Sequence, residues 1–161
     1  MTWLYKGAYS CAMELGLDQH TVQFLNYPVK MLRLLQSFGI KPVCVFDGLS
    51  LKAKASTEKN RSDGKKQNKE LALQMAEKGN DEEARKYFAR SLILRTKMID
   101  LLIDVLRELS IEVIIAPYEA DAQIAYLVKS GYGDFAISED SDLIAYECPR
   151  CILKLDFMGK C

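Results

Sequence analysis

A chain of 161 residues that is 49% apolar and 27% charged has the make-up of one globular domain with a real core. Its apolar runs stop short of the ~18–20 residues needed to cross a bilayer, and MTWLYKGAYSCAMEL lacks the basic start and apolar stretch of a signal peptide. A cytosolic or nuclear protein with no membrane partner is the default. Basic and acidic side chains number 22 each, but they are not mixed. Residues 52–69 carry Lys52, Lys54, Lys59, Arg61, Lys65, Lys66 and Lys69 against only Glu58 and Asp63, whereas residues 111–142 carry seven acids against Lys129 alone. Phosphodiester chemistry calls for that polarity, with cations on the backbone and carboxylate-held metals at one phosphate.

In chain order, residues 3–15 place small and apolar side chains at helical spacing, which predicts a helix ending near Gly16. Residues 21–38 continue helically, with Pro28 as a kink or boundary and Gly39 as the stop. A strand follows at 42–46. The segment 50–66 is basic and nearly free of large apolar residues, so it is expected to be mobile or ordered by a partner. Helices are predicted over 67–78 and 81–109, split at Gly79-Asn80. A strand over 111–116, a helix over 118–129, and strands at 134–138 and 151–155 complete the chain. Alternating strands and helices imply an α/β fold, a parallel sheet flanked by helices. GNDEEARKYFARSL has the look of a helical repeat, but a single copy cannot build a solenoid.

Five cysteines, an odd number without a secretion signal, argue against a disulfide framework. Cys148-Pro-Arg-Cys151 has zinc or redox spacing, but no second pair follows and His20 is distant in sequence, so two ordinary thiols are expected.

Five acids sit where hydrophobic runs end: Asp47 in VFDG, Glu119 and Asp121 in APYEADAQ, Asp140 and Asp142 in SEDSD. Singly, each has a plain explanation. Asp-Gly is a common turn, acids favour helix starts, and SEDSD could be a solvated bend. Their joint placement after three successive strands is not explained that way, because the carboxyl edge of an α/β sheet is where ligands bind. Oxygen-only ligation suits Mg²⁺, or Mn²⁺, and two ions about 3.5–4 Å apart could bridge a phosphate. Asp140 and Asp142, on an extended segment, are expected to project to one side with Glu139 facing away.

VFDG, APYEADAQ and EDSDL, in this order and at these separations, resemble the flap endonuclease/XPG family of 5′ nucleases, in particular its exonuclease 1 branch. The likeness runs over essentially the whole chain. It implies a PIN-like 5′ nuclease core, residues 1–161 as a single nuclease-core domain, with a gateway helix and helical arch inserted at 50–90. It implies that Asp47, Glu119, Asp121, Asp140 and Asp142 bind two Mg²⁺ ions. It implies that Lys54 and Arg61, seven residues apart and so on one helix face, contact the scissile phosphate. Lys52, Lys65 and Lys66 would add DNA contacts, and Tyr5 would stack on an unpaired base, although the exonuclease 1 branch commonly has His there and flap endonucleases use Tyr. The family's first strand, ending in a metal-binding Asp, would precede Met1. A further Asp and a duplex-gripping element would follow Cys161, making this chain a fragment. The implied activity is 5′ to 3′ exonuclease on double-stranded DNA with 5′ flap endonuclease capability, acting in the nucleus on nicks, gaps or flaps beside mismatch-repair proteins. A structure-specific flap endonuclease and a catalytically inactive DNA-binding fragment are the alternatives.

Overall fold

The computed structural model describes residues 2–49 and 55–156, with only the helical backbone given for 55–61. Its elements are α1 (Thr2–Tyr9), α2 (Ala12–Gly16), a 3₁₀ turn (Gln23–Leu25), α3 (Asn26–Ser37), β1 (Val43–Phe46), α4 (Ala55–Glu77), α5 (Asp81–Ser91), α6 (Thr96–Glu108), β2 (Glu112–Ile115), α7 (Ala120–Lys129), β3 (Ala136–Ser138), α8 (Asp142–Ala145) and β4 (Cys151–Leu153). No helix among the described residues is long and apolar enough to cross a membrane. The chain divides into two compact units, one holding residues 3–30 and 55–104 and the other 31–49 and 105–156, so that the division falls inside α3 and α6.

The first unit is helical. The helix expected over 3–15 breaks at Ser10, whose hydroxyl and amide both bond the Gly7 carbonyl, at 2.7 and 3.2 Å, and so displace the bond that would have continued the helix. Pro28 lies in the first turn of α3, where its missing N–H would have had no partner anyway. The helix expected to start at 67 begins earlier, so that α4 takes in the basic residues 55–66. The apolar period is weak there and half of the residues are poor helix formers, but extending the helix that continues to Glu77 is far easier than nucleating a new one. Fully buried Ala72 seats α4 against α5.

Asn80 caps α5 by accepting the Glu83 amide at 3.3 Å. The single helix expected over 81–109 is two, because Leu92 turns into the core with an extended backbone (ψ 129) and ends α5. Phe88 of α5 is fully buried and its ring lies against Gly16 of α2, where a Cβ would sit 2.1 Å from the ring. Asp18, with φ +56, pairs with Arg95 and with Lys69 of α4 at 3.3 Å, and these cations, Arg95 foremost, hold its carboxyl below the usual range.

The second unit is the α/β part. β1 and β2 pair in parallel with Val43 opposite Glu112 and Phe46 opposite Ile115. β3 and β4 pair in parallel from Ala136–Cys151 to Ser138–Leu153. Parallel pairing is as expected, but the one sheet resolves into two two-stranded sheets among the described residues. Strands of three or four residues make few ladder bonds, and each pair depends on α7, which packs on both β1 and β3. Val128, Ala136 and Leu143 form a small buried cluster beneath α8, with Ile124, Cys148 and Cys151 packed against it.

Candidate metal centre

All five acids follow strand ends in the second unit. Asp47 comes directly after β1, Glu119 and Asp121 flank the start of α7 beyond β2, and Asp140 and Asp142 follow β3. Asp47 is fixed by its neighbour. A Cβ on Gly48 would lie 1.9 Å from the Ala116 carbonyl oxygen, so only glycine lets the two chain segments approach this closely. The amides of Gly48 and Leu49 then donate to the carbonyls of Tyr118 and Pro117 at 2.7 and 3.1 Å, prolonging the β1–β2 contact past the ladder. The Asp47 carboxylate thereby reaches the first amide of α7, accepting from Ala120 at 2.9 Å. It caps a helix far away in sequence, where the dipole also favours a negative charge.

Beyond β3 the chain does not stay extended. The amide of Asp140 donates to the Ser138 hydroxyl at 3.0 Å, and the amide of Asp142 donates to the Asp140 carboxylate at 3.2 Å. This side-chain turn starts α8 at Asp142. Asp140 and Asp142 therefore meet through a local cap rather than through strand alternation. Their carboxylate oxygens and one of Asp121 all lie within 4.8 Å of one another. Glu139 is not one of the three. Asp121 is half-buried while its partners are exposed. Burial, followed by the negative charges of Asp140, Asp47 and Asp142, pushes its carboxyl above the ordinary value.

Glu119 stands apart from that trio. It accepts the Tyr146 hydroxyl at 3.1 Å, which ties the start of α7 to the residue after α8. Tyr146 and Ser138 escaped the sequence reading. The only available signal was a hydroxyl within a few residues of an acid, which is too common to single out.

In the first unit, the Lys65 ammonium lies 5.4 Å from the Tyr5 ring centroid and donates to its hydroxyl at 3.2 Å. Lys66 is exposed on α4. Arg61 belongs to α4 by its backbone, and Lys52 and Lys54 lie outside the described residues.

The XPG N-terminal domain matches residues 1–68 and the XPG I-region matches residues 110–161. Exonuclease 1 of Xenopus laevis is 40% identical over 157 residues, covering 98% of this chain and 21% of its own length. Exonuclease 1 of Danio rerio is 41% identical over 157 residues, covering 98% and 20%. The chain thus spans about a fifth of the length of these relatives. The fold is similar to that of the catalytic core of Rad2 in complex with DNA substrate, with a TM-score of 0.60 and 24% identity over 85% of this chain and 37% of that one.

Proposed function

Because the chain belongs to the XPG family, we propose that it forms the catalytic core of a 5′ nuclease that hydrolyses DNA phosphodiesters. The observation that carries this reading is the meeting of Asp121, Asp140 and Asp142 oxygens within 4.8 Å. Three carboxylates so close repel one another, and the Asp121 carboxyl is raised first by its burial and then by the charges of Asp140, Asp47 and Asp142. An all-oxygen donor set of this kind fits a hard divalent cation, Mg²⁺ or Mn²⁺. Asp121, Asp140 and Asp142 would hold it, with Asp47 and Glu119 contributing to a two-ion site. Bound there, the ions supply charge stabilisation at the phosphate and ease deprotonation of water.

The chain's own residues do the rest. Asp47 keeps the start of α7 in place and adds to the negative field at Asp121. Glu119 is oriented by Tyr146. Lys54 and Arg61 hold the scissile phosphate and stabilise its developing charge, while Lys52, Lys65 and Lys66 take neighbouring phosphates. Tyr5 offers a face to an unpaired base, a sequence-tolerant contact of about 1–3 kcal/mol. The likeness to proteins named exonuclease 1 supports 5′ to 3′ degradation of double-stranded DNA from nicks or gaps, with flap cleavage as a second capability. It also supports a nuclear setting in mismatch repair and recombination. The protein carrying this chain at full length, supplied with Mg²⁺, should degrade recessed 5′ ends faster than it releases single-stranded flaps. Retained DNA binding with no cleavage in Mg²⁺ or Mn²⁺ would mark a catalytically inactive DNA-binding module instead. Tyr5 favours a second reading, a structure-specific flap endonuclease, which predicts the reverse order of rates.

A further inference from the structure

The metal-centre reading leaves Cys148-Pro-Arg-Cys151 unused. Both thiols are free and half-buried, and both pack against the one buried cluster of Val128, Ala136 and Leu143. The Cys148 thiol donates to the Arg150 carbonyl at 3.7 Å, so its sulfur is folded back onto the residue that precedes Cys151. The same carbonyl accepts the Ala136 amide at 2.9 Å, where the β3–β4 ladder begins. The Cys148 amide donates to the Leu143 carbonyl at 3.0 Å, and Leu143, fully buried, adjoins Asp142. Three residues of separation in a folded turn are compatible with the ~4.4–6.8 Å Cα spacing of a disulfide. The other described thiols are protected, since burial pushes Cys44 up to about 11 and also raises Cys11.

We propose that Cys148 and Cys151 form a reversible thiol–disulfide pair, a modification site whose oxidation draws on the turn between α8 and β4 and weakens divalent-cation binding at Asp140 and Asp142. The oxidant is a low-molecular-weight disulfide of the glutathione class. One cysteine thiolate attacks a glutathione disulfide sulfur, forming a mixed disulfide and releasing one glutathione thiolate. The second cysteine thiolate attacks the protein-side sulfur, closing the Cys148–Cys151 bond and releasing the other glutathione. The protein loses two electrons and two protons, and the glutathione disulfide becomes two thiols. The pairing stands on its own geometry, whereas its coupling to cations rests on the metal-centre reading.

The test equilibrates the full chain, in a Cys161→Ser background, across glutathione redox buffers, then alkylates and maps the cysteines by mass. Mn²⁺ binding is measured on each form. The expected result is joint loss of alkylation at 148 and 151, reversed by dithiothreitol, with Mn²⁺ affinity about tenfold weaker in the oxidised form. Cys148→Ser should bind Mn²⁺ alike in every buffer. Mixed glutathione adducts without the internal bond at any ratio would overturn the pairing, and equal Mn²⁺ affinity in both forms would overturn the coupling. A chain that binds no Mn²⁺ in either state refutes the coupling and the metal-centre reading together, while the disulfide map still decides the pair.

Discussion

Removing one charge from the acidic trio should make the ion-free protein more stable. Asp121→Asn leaves shape and hydrogen-bonding capacity nearly unchanged but deletes the half-buried member of three carboxylates whose oxygens lie within 4.8 Å of one another. At that separation each like-charge pair costs just under about 1 kcal/mol in a water-like medium and more in a drier one, so losing two pairs should stabilise by about 1–2 kcal/mol. Asp121 has its folded-state carboxyl raised above the ordinary aspartate value, which means the folded chain binds the proton more tightly than the unfolded chain. Wild-type stability therefore rises as pH falls through that raised pKa, and the penalty is complete only above it. The advantage of the asparagine should be full at pH 7 and vanish below pH ~4. Divalent ions should reverse the ranking, because at about 100 times Kd they add about 2.7 kcal/mol to the wild type and less to a variant that binds them weakly. Urea unfolding in chelator and in Mn²⁺, across pH, measures all of this. A variant less stable than wild type in chelator at pH 7, or one gaining as much from Mn²⁺, would refute the reasoning.

Asp142→Ala in the full-length protein should abolish cleavage while leaving DNA binding largely intact, and near-normal turnover would remove Asp142 from the site. Lys54→Ala with Arg61→Ala should lower kcat by orders of magnitude, as lost charge stabilisation does, whereas a rise in KM alone would mark them as positioning contacts. Gly16→Ala drives a methyl to 2.1 Å from the Phe88 ring and should cost about 1–3 kcal/mol in urea unfolding, with an unchanged midpoint showing that α2 can shift aside.

The acids were legible because a run such as Val43–Phe46 ends abruptly in Asp47, and the same pattern recurs twice more along the chain. Parallel pairing followed from the alternation of strands and helices. Less visible were features that depend on one hydroxyl or one turn of backbone. Ser10 breaks a helix whose apolar spacing continues past it, and Leu92 leaves a helical path to reach the core. The start of α4 was placed too late because hydrophobic period, the signal sought, is faint over 55–66 and Ser56, Thr57, Asn60, Ser62, Asp63 and Gly64 read as non-helical. Asp140 and Asp142 were rightly associated but for the wrong local reason, since the Asp140 carboxylate folds onto the next turn instead of leaving along a strand. The place of Glu119 depends on Tyr146, a partner 27 residues on that no spacing rule selects.

The bond from the Ala120 amide to Asp47 has a bearing on how this residue ought to be probed. Alanine at 47 would delete a formal charge and unseat the beginning of a helix at once, so a dead variant would say nothing about which loss mattered. Asparagine keeps an oxygen for the amide and discards only the charge. The difference between the two substitutions therefore separates scaffolding from electrostatics at this residue.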